Sequence, residues 1–161
     1  MSRTTGKYAP DSRRNRGKQM VAEEPQIIAY GSKTGLNAYV RRVSGATPME
    51  IVLTERAGVQ AKLIKDLASR MALPASRMFT ILGVPKATAE KKVAAGEMVA
   101  GQGGQAAIGM IRLLGIAQDM VANSTSVDAQ AFDAAHWLGR WIEVPQPSLG
   151  GRKPAELLDT P

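Results

Sequence analysis

The sequence predicts an all-α fold: a helical bundle with a helix-turn-helix-like N-terminal part and a helical C-terminal part, preceded by a disordered basic tail. Three observations predict it. From Thr47 onward apolar residues recur at helical spacing. Helix start and stop residues bracket each apolar stripe. Convincing strand alternation is absent after residue 47. The expected divisions are residues 1–24 for the tail, 25–100 for the helix-turn-helix-like part (suited to dimerisation or DNA contact), and 101–161 for the C-terminal domain.

In the tail, Arg3, Lys7, Arg13, Arg14, Arg16 and Lys18 sit among Ser, Thr, Gly, Pro and Asn. Such a segment has too little apolar surface to offset its ordering entropy, so disorder is expected. From Pro25 to Gly45 two readings stand side by side. Gln26 to Tyr30 fits a short strand, and Leu36, Tyr39, Val40 and Val43 fit an amphipathic helix. Thr47, Pro48 and Glu50 form a capping box with proline at the first helical position, and Gly58 can end that helix. Leu63, Ile64, Leu67, Ala68 and Met71 make one stripe over Ala61–Leu73, stopped by Pro74. Short helices over Ala75–Leu82 and Ala87–Ala95 end at Gly83 and Gly96. Ala106–Asn123 is the most apolar helix, and apolar residues cover most of its girth. It is therefore central or lies in an oligomer interface, which makes a dimer plausible. Asp128 is the expected cap of a last long helix carrying Phe132, Trp137, Leu138 and Trp141, which ends before Pro145.

Composition narrows the chemistry. The 161 residues include no Cys and one His, His136. Disulfides, thiolate metal sites, Cys nucleophiles and multi-imidazole sites are excluded. No cofactor or metal site is expected. The apolar run Ala106–Ile111 stops at Arg112, far short of the roughly 20 residues that cross a bilayer, so a cytoplasmic protein without membrane contact is the expectation. The net charge of +7 is uneven: residues 1–60 carry +5, residues 61–100 carry +4 and residues 101–161 carry −2. A basic front and an acidic back suggest two different partners, although a basic surface also serves solubility alone.

Several motifs dissolve on inspection. Gly101-Gln102-Gly103-Gly104-Gln105-Ala106 has dinucleotide-fingerprint spacing, but no strand precedes it, so it reads as a flexible linker. Gly31-Ser32-Lys33-Thr34-Gly35 lacks the Gly-Lys-Ser/Thr order of a phosphate loop. Asp133 lies one helical turn before His136, yet nothing nearby supplies a nucleophile for a general base. Scattered carboxylates offer no acid–base pair, and no enzyme is expected.

Ala75–Ala95 has helix-turn-helix spacing, with Gly83 in the turn and Met78, Leu82, Val84 and Ala89 where the helices must pack. Ser76, Lys86, Thr88, Lys91 and Lys92 are the candidate DNA contacts, polar residues for the groove and lysines for phosphates. Phe79 and Glu90 count against it. Phe79 stands where a close helix crossing wants Ala or Gly, and Glu90 puts a negative charge on the reading face.

The most specific stretch is Phe132 to Thr160. A helix carrying Trp137, Leu138 and Trp141 on one face forms an apolar anchor, Leu149-Gly150-Gly151 makes a tight turn over it, and Pro154 starts a short helix from which Leu157 and Leu158 pack back. The Trp-Leu pair, the string Leu-Gly-Gly-Arg-Lys-Pro-Ala-Glu-Leu-Leu-Asp-Thr over 149–160 and the helix before it resemble the toxin-binding domain of the Xre/MbcA/ParS antitoxins, the partners of RES-domain toxins. The resemblance covers Met49 to the end, and places the helix-turn-helix-like segment where this family carries its Cro/Xre-like part. It implies a type II antitoxin that binds an NAD-consuming toxin, either NAD-degrading or ADP-ribosylating, and obstructs its NAD pocket. Carried over, the toxin-binding residues are Trp137, Arg140, Trp141, Leu149, Arg152, Lys153, Glu156, Leu157, Asp159 and Thr160. Autorepression of its own operon through operator DNA is a further implication. The family continues past Asp-Thr with a Gly and one more amphipathic helix, whereas this sequence ends at Pro161. The alternative is a DNA-binding transcriptional regulator without a toxin partner.

Overall fold

A computed structural model describes Met1, residues 24–31 and residues 33–159. The tail expected over residues 1–24 lies outside these, apart from Met1 and Glu24. The described chain is an all-α bundle, in order α1 (Leu36–Ser44), α2 (Pro48–Ala57), β1 (Val59–Gln60), α3 (Ala61–Arg70), α4 (Ala75–Ile81), α5 (Lys86–Ala95), β2 (Met98–Val99), α6 (Gly101–Ala122) and α7 (Ala134–Trp141). Short 3-10 turns follow at Val127–Ala131, Pro147–Leu149 and Pro154–Glu156.

Of the two readings over Pro25–Gly45, the helix is realised. Tyr39, Val40 and Val43 are buried on α1. Residues 24–31 run extended without joining a sheet. The donor that a strand neighbour would satisfy is met by a side chain: Ile28 N–H donates to Thr54 Oγ1 at 2.9 Å. Tyr30 pins the same segment, donating to Asp66 Oδ2 at 2.7 Å and meeting the Tyr39 ring edge-on at 5.2 Å. Burial pushes the Tyr39 phenol up to about 12.

The capping box forms on α2: Thr47 Oγ1 accepts from Glu50 N–H, and Thr47 N–H donates to Glu50 Oε2. Gly58, at φ +82°, turns the chain into β1. Val59 pairs with Val99 and Gln60 with Met98 in an antiparallel two-residue ladder, too short to leave any alternation in the sequence. α3 ends at Arg70, earlier than the expected Leu73, because Ala72 takes a left-handed conformation and Leu73 N–H closes onto the Ala68 carbonyl. Met78, Leu82, Val84 and Ala89 are buried at the α4–α5 junction as expected, and Phe79 is buried with them.

α6 corrects the linker expected over Gly101–Ala106: those residues are its first turns. Glycine in a helix costs roughly 0.5–1 kcal/mol relative to Ala, but here the missing side chains admit neighbours. A Cβ on Gly104 would stand 2.6 Å from the Val99 carbonyl oxygen, and one on Gly103 would stand 2.5 Å from Val84 Cγ2. Ala107, Ile108, Met110, Ile111 and Leu114 are fully buried, and α6 packs most extensively on α1, then α7 and α2. One interior runs from Ile28 to Ala155, across residue 100.

The cap of α7 is Asp133, whose side chain accepts from His136 N–H, not Asp128. Asp128 instead lies in the 3-10 turn, where its N–H donates to Ser126 Oγ. Phe132 therefore precedes the helix. No helix among the described residues is long and apolar enough to cross a membrane.

Two glycines on one helix should respond oppositely. Gly104→Ala must displace backbone, and should cost about 1–3 kcal/mol of stability. Gly109, with nothing within 4 Å of a built Cβ, should gain about 0.5–1 kcal/mol on changing to Ala. Thermal unfolding of the two variants beside the parent measures both.

Candidate protein-binding face

α7 presents two faces. Leu138 and Ile142 sink into the core, Leu138 at 3% exposure. Trp137 and Trp141, four residues apart, stack with centroids 5.9 Å apart and planes 20° apart, Trp137 exposed and Trp141 half-buried against the core. Leu138 does not share their face as expected, because one residue along a helix is about 100° around it. Phe132 extends the row, 6.1 Å from Trp137. Trp137 and Phe132 remain 37% and 45% exposed. Arg140 joins Trp137, Trp141, Val144 and Gln146 around a shallow hollow of about 250 Å³. Val144 was missed by the sequence reading, although it stands seven residues after Trp137 and three after Trp141, the spacing that marks a continuing face.

The remaining expected contacts divide. Leu149 and Arg152 are exposed on a loop organised by Gln146, whose carbonyl accepts from Leu149 and Gly151 N–H and whose N–H donates to the Arg152 carbonyl. Lys153, Glu156, Leu157 and Asp159 lie on a strap folded back on the bundle. Ala155 N–H donates to the Ile142 carbonyl, and the Gln102 side-chain amide donates to the Asp159 carbonyl. The Asp159 Cβ sits 3.4 Å from where Gly83 would carry its own. Lys153 Nζ lies 3.5 Å from Glu143 Oε2, so its charge is spent within the fold. Thr160 lies outside the described residues.

Three polar ties hold this assembly. Arg70 Nη1 donates to both Asp133 oxygens at 2.8 Å. Arg77 bonds Glu143 in a fork, Nε to Oε1 at 2.5 Å and Nη2 to Oε2 at 3.0 Å. The bonds from Arg70 and Arg77 hold the Asp133 and Glu143 carboxyls below their usual range. His136 meets Asp133 through its backbone N–H.

The candidate DNA contacts lie on α4 and α5, and Lys92 alone of the five is half-buried. Ser76, Thr88 and Lys91 are exposed. Lys86 faces Glu90 at 3.9 Å, and Lys92 Nζ donates to the Met98 carbonyl at 2.9 Å and to Glu97, tying α5 to β2.

A protein of Sphingobium sp. (strain YBL2) named Prs ADP-ribosylating antitoxin is 33% identical over 132 residues, covering 82% of this chain and 81% of its own. No family model matches the chain. No solved structure matches it.

The Arg77–Glu143 fork sets a pH dependence. A carboxylate whose folded pKa is depressed adds stability above its unfolded value, near 4.5, and loses it as pH falls through the folded one. Glu143→Gln should cost about 1 kcal/mol at pH 7. The gap between the variant and the parent should close as pH drops below 4.5. Urea unfolding across pH 3–7 reads this.

Proposed function

The chain belongs to the antitoxin family that includes the Sphingobium protein, and from that premise we propose that it neutralises a RES-type, NAD-consuming toxin by covering the NAD site with its C-terminal face. The observation that carries the reading is the exposed Trp137 stacked on the half-buried Trp141, with Arg140 beside them. Aromatic and Arg side chains at the centre of a desolvated patch dominate protein–protein affinity. ADP-ribosylation, which the relative's name mentions, consumes NAD, and this agrees with a partner that uses NAD. Phe132–Thr160 carries the resemblance to the toxin-binding domain, and the exposed aromatic row lies within it.

In this reading the chain inhibits by burial and performs no chemistry. Trp137, Arg140, Trp141, Leu149 and Arg152 form the contact face. Lys153, Glu156, Leu157 and Asp159 shape the strap beside it. In this reading residues 101–161 carry toxin binding and residues 25–100 carry dimerisation or DNA contact.

DNA contact is the second reading. The α4–α5 pair turns through Gly83 at φ +66°, and Thr88 and Lys91 stand exposed on α5. Autorepression would add operator DNA as a partner without using the aromatic face.

Two measurements test these readings. Trp141→Ala should weaken binding of the toxin encoded beside this chain by about 30-fold or more, the equivalent of about 2 kcal/mol. Unchanged affinity in isothermal titration with a folded variant contradicts the first reading. For the second, binding to the upstream DNA should fall steeply between 50 and 200 mM salt, as roughly expected of phosphate contacts, and Lys91→Ala should lower the salt slope by about one. No binding at low salt removes it.

A further inference from the structure

Beyond the Trp137–Trp141 hollow, on the opposite side of Trp137, a second recess opens that no expected contact residue except Trp137 touches. The end of α6, the 3-10 turn at Val127–Ala131 and the two aromatics enclose a groove of about 330 Å³. Met120, Val121, Ala129, Phe132 and Trp137 give it apolar walls, and Met120 is 71% exposed. That volume is at the low end of small-molecule sites, about 300–1,000 Å³, and suits an inserted side chain.

Its rim is negative on a basic protein. Asp128 is the charged residue lining it, and its carboxylate has no hydrogen-bond or ion-pair partner among the described residues. Nearby Asp133, by contrast, is held by Arg70. The groove also lies at the C-terminal end of α6, a 22-residue helix with no basic residue in its last turn. The partial negative charge of that helix end therefore goes uncompensated by any cation of its own. Asn123 caps that helix end, its side-chain amide donating to the Asp119 carbonyl at 2.8 Å, so the charge left open at the recess is the Asp128 carboxylate, and an apolar recess beside it fits an apolar side chain with a cation about one turn away.

We propose that this groove is a second docking point for the toxin, receiving a toxin helix that carries a Leu, Met or Phe anchor and a Lys or Arg directed at Asp128. The proposal rests on the reading that the partner is a toxin, and it makes the contact two-pronged: the Trp137–Trp141 stack on one side and the groove on the other, with Trp137 shared between them. The adjacent carboxylate selects for a basic segment in the partner, and this prong weakens with salt.

The test uses the full chain and the purified toxin encoded beside it. Asp128→Lys and Met120→Glu change exposed side chains, so their melting temperatures should match the parent. Each should weaken toxin binding at least tenfold, and the loss in Asp128→Lys should shrink as salt rises. Parental affinity in both variants, with Trp141→Ala still impaired, overturns the groove and leaves the toxin reading standing. A toxin that fails to bind the parent chain overturns the reading itself, and the groove proposal with it. Sedimentation supplies the remaining outcome. If Met120→Glu converts a dimer to a monomer while toxin affinity is unchanged, the groove holds a second copy of this chain and the proposal falls.

Discussion

The contact on which the rest of this structure depends is the approach of α7 to the end of α3. Gly139 lies against the Met71 carbonyl, so closely that any Cβ there would collide with backbone. Because that site is glycine, α7 settles onto the α3–α4 corner and Leu138 and Ile142 reach the core. Helical geometry then turns Trp137 outward and leaves Trp141 at the edge of the core, half-buried beneath it. Arg70–Asp133 at the start of α7 and Arg77–Glu143 just beyond its end fix the same helix at both extremities. Lys153 adds the strap to the second of these ties.

Exposed tryptophan is costly to leave in water, at about 25 cal/mol for each Å² of apolar surface. Gly139 and the Arg70–Asp133 and Arg77–Glu143 pairs hold α7 on the bundle, and with it the exposed rings of Phe132 and Trp137. The aromatic row is preorganised, since stacking of Trp137 on Trp141 and the packing of Phe132 already restrict their rotamers. Inhibition by such a face needs no titratable pair, no metal and no nucleophile in this chain.

The fold was largely legible because its signals are local. The Thr47–Glu50 box, the Leu63–Met71 stripe and the Gly83 and Gly96 stops each state their element within one or two turns. What escaped depends on contacts distant in sequence. Gly103 and Gly104 look like a linker until Val84 and Val99 are seen against them. The Val59–Val99 ladder spans two residues on each side, below any periodicity. Asp128 and Asp133 are equally good caps on paper, and Arg70, 63 residues away from Asp133, favours the second. On α7, the helix period places Trp137 and Trp141 together, the resemblance adds Arg140, and the three line one hollow. The Lys153–Glu143 ion pair leaves no local signal, because Glu143 is brought to Lys153 only by the folded strap.

The central claim is that the face built on α7 is what a toxin covers. Amide hydrogen exchange of the chain, alone and saturated with a purified RES-type toxin that it binds, tests this most directly. The account predicts slowed exchange concentrated in residues 132–152, around α7 and the Gln146 loop. Slowing confined to α4 and α5, with residues 132–152 unchanged, would contradict it.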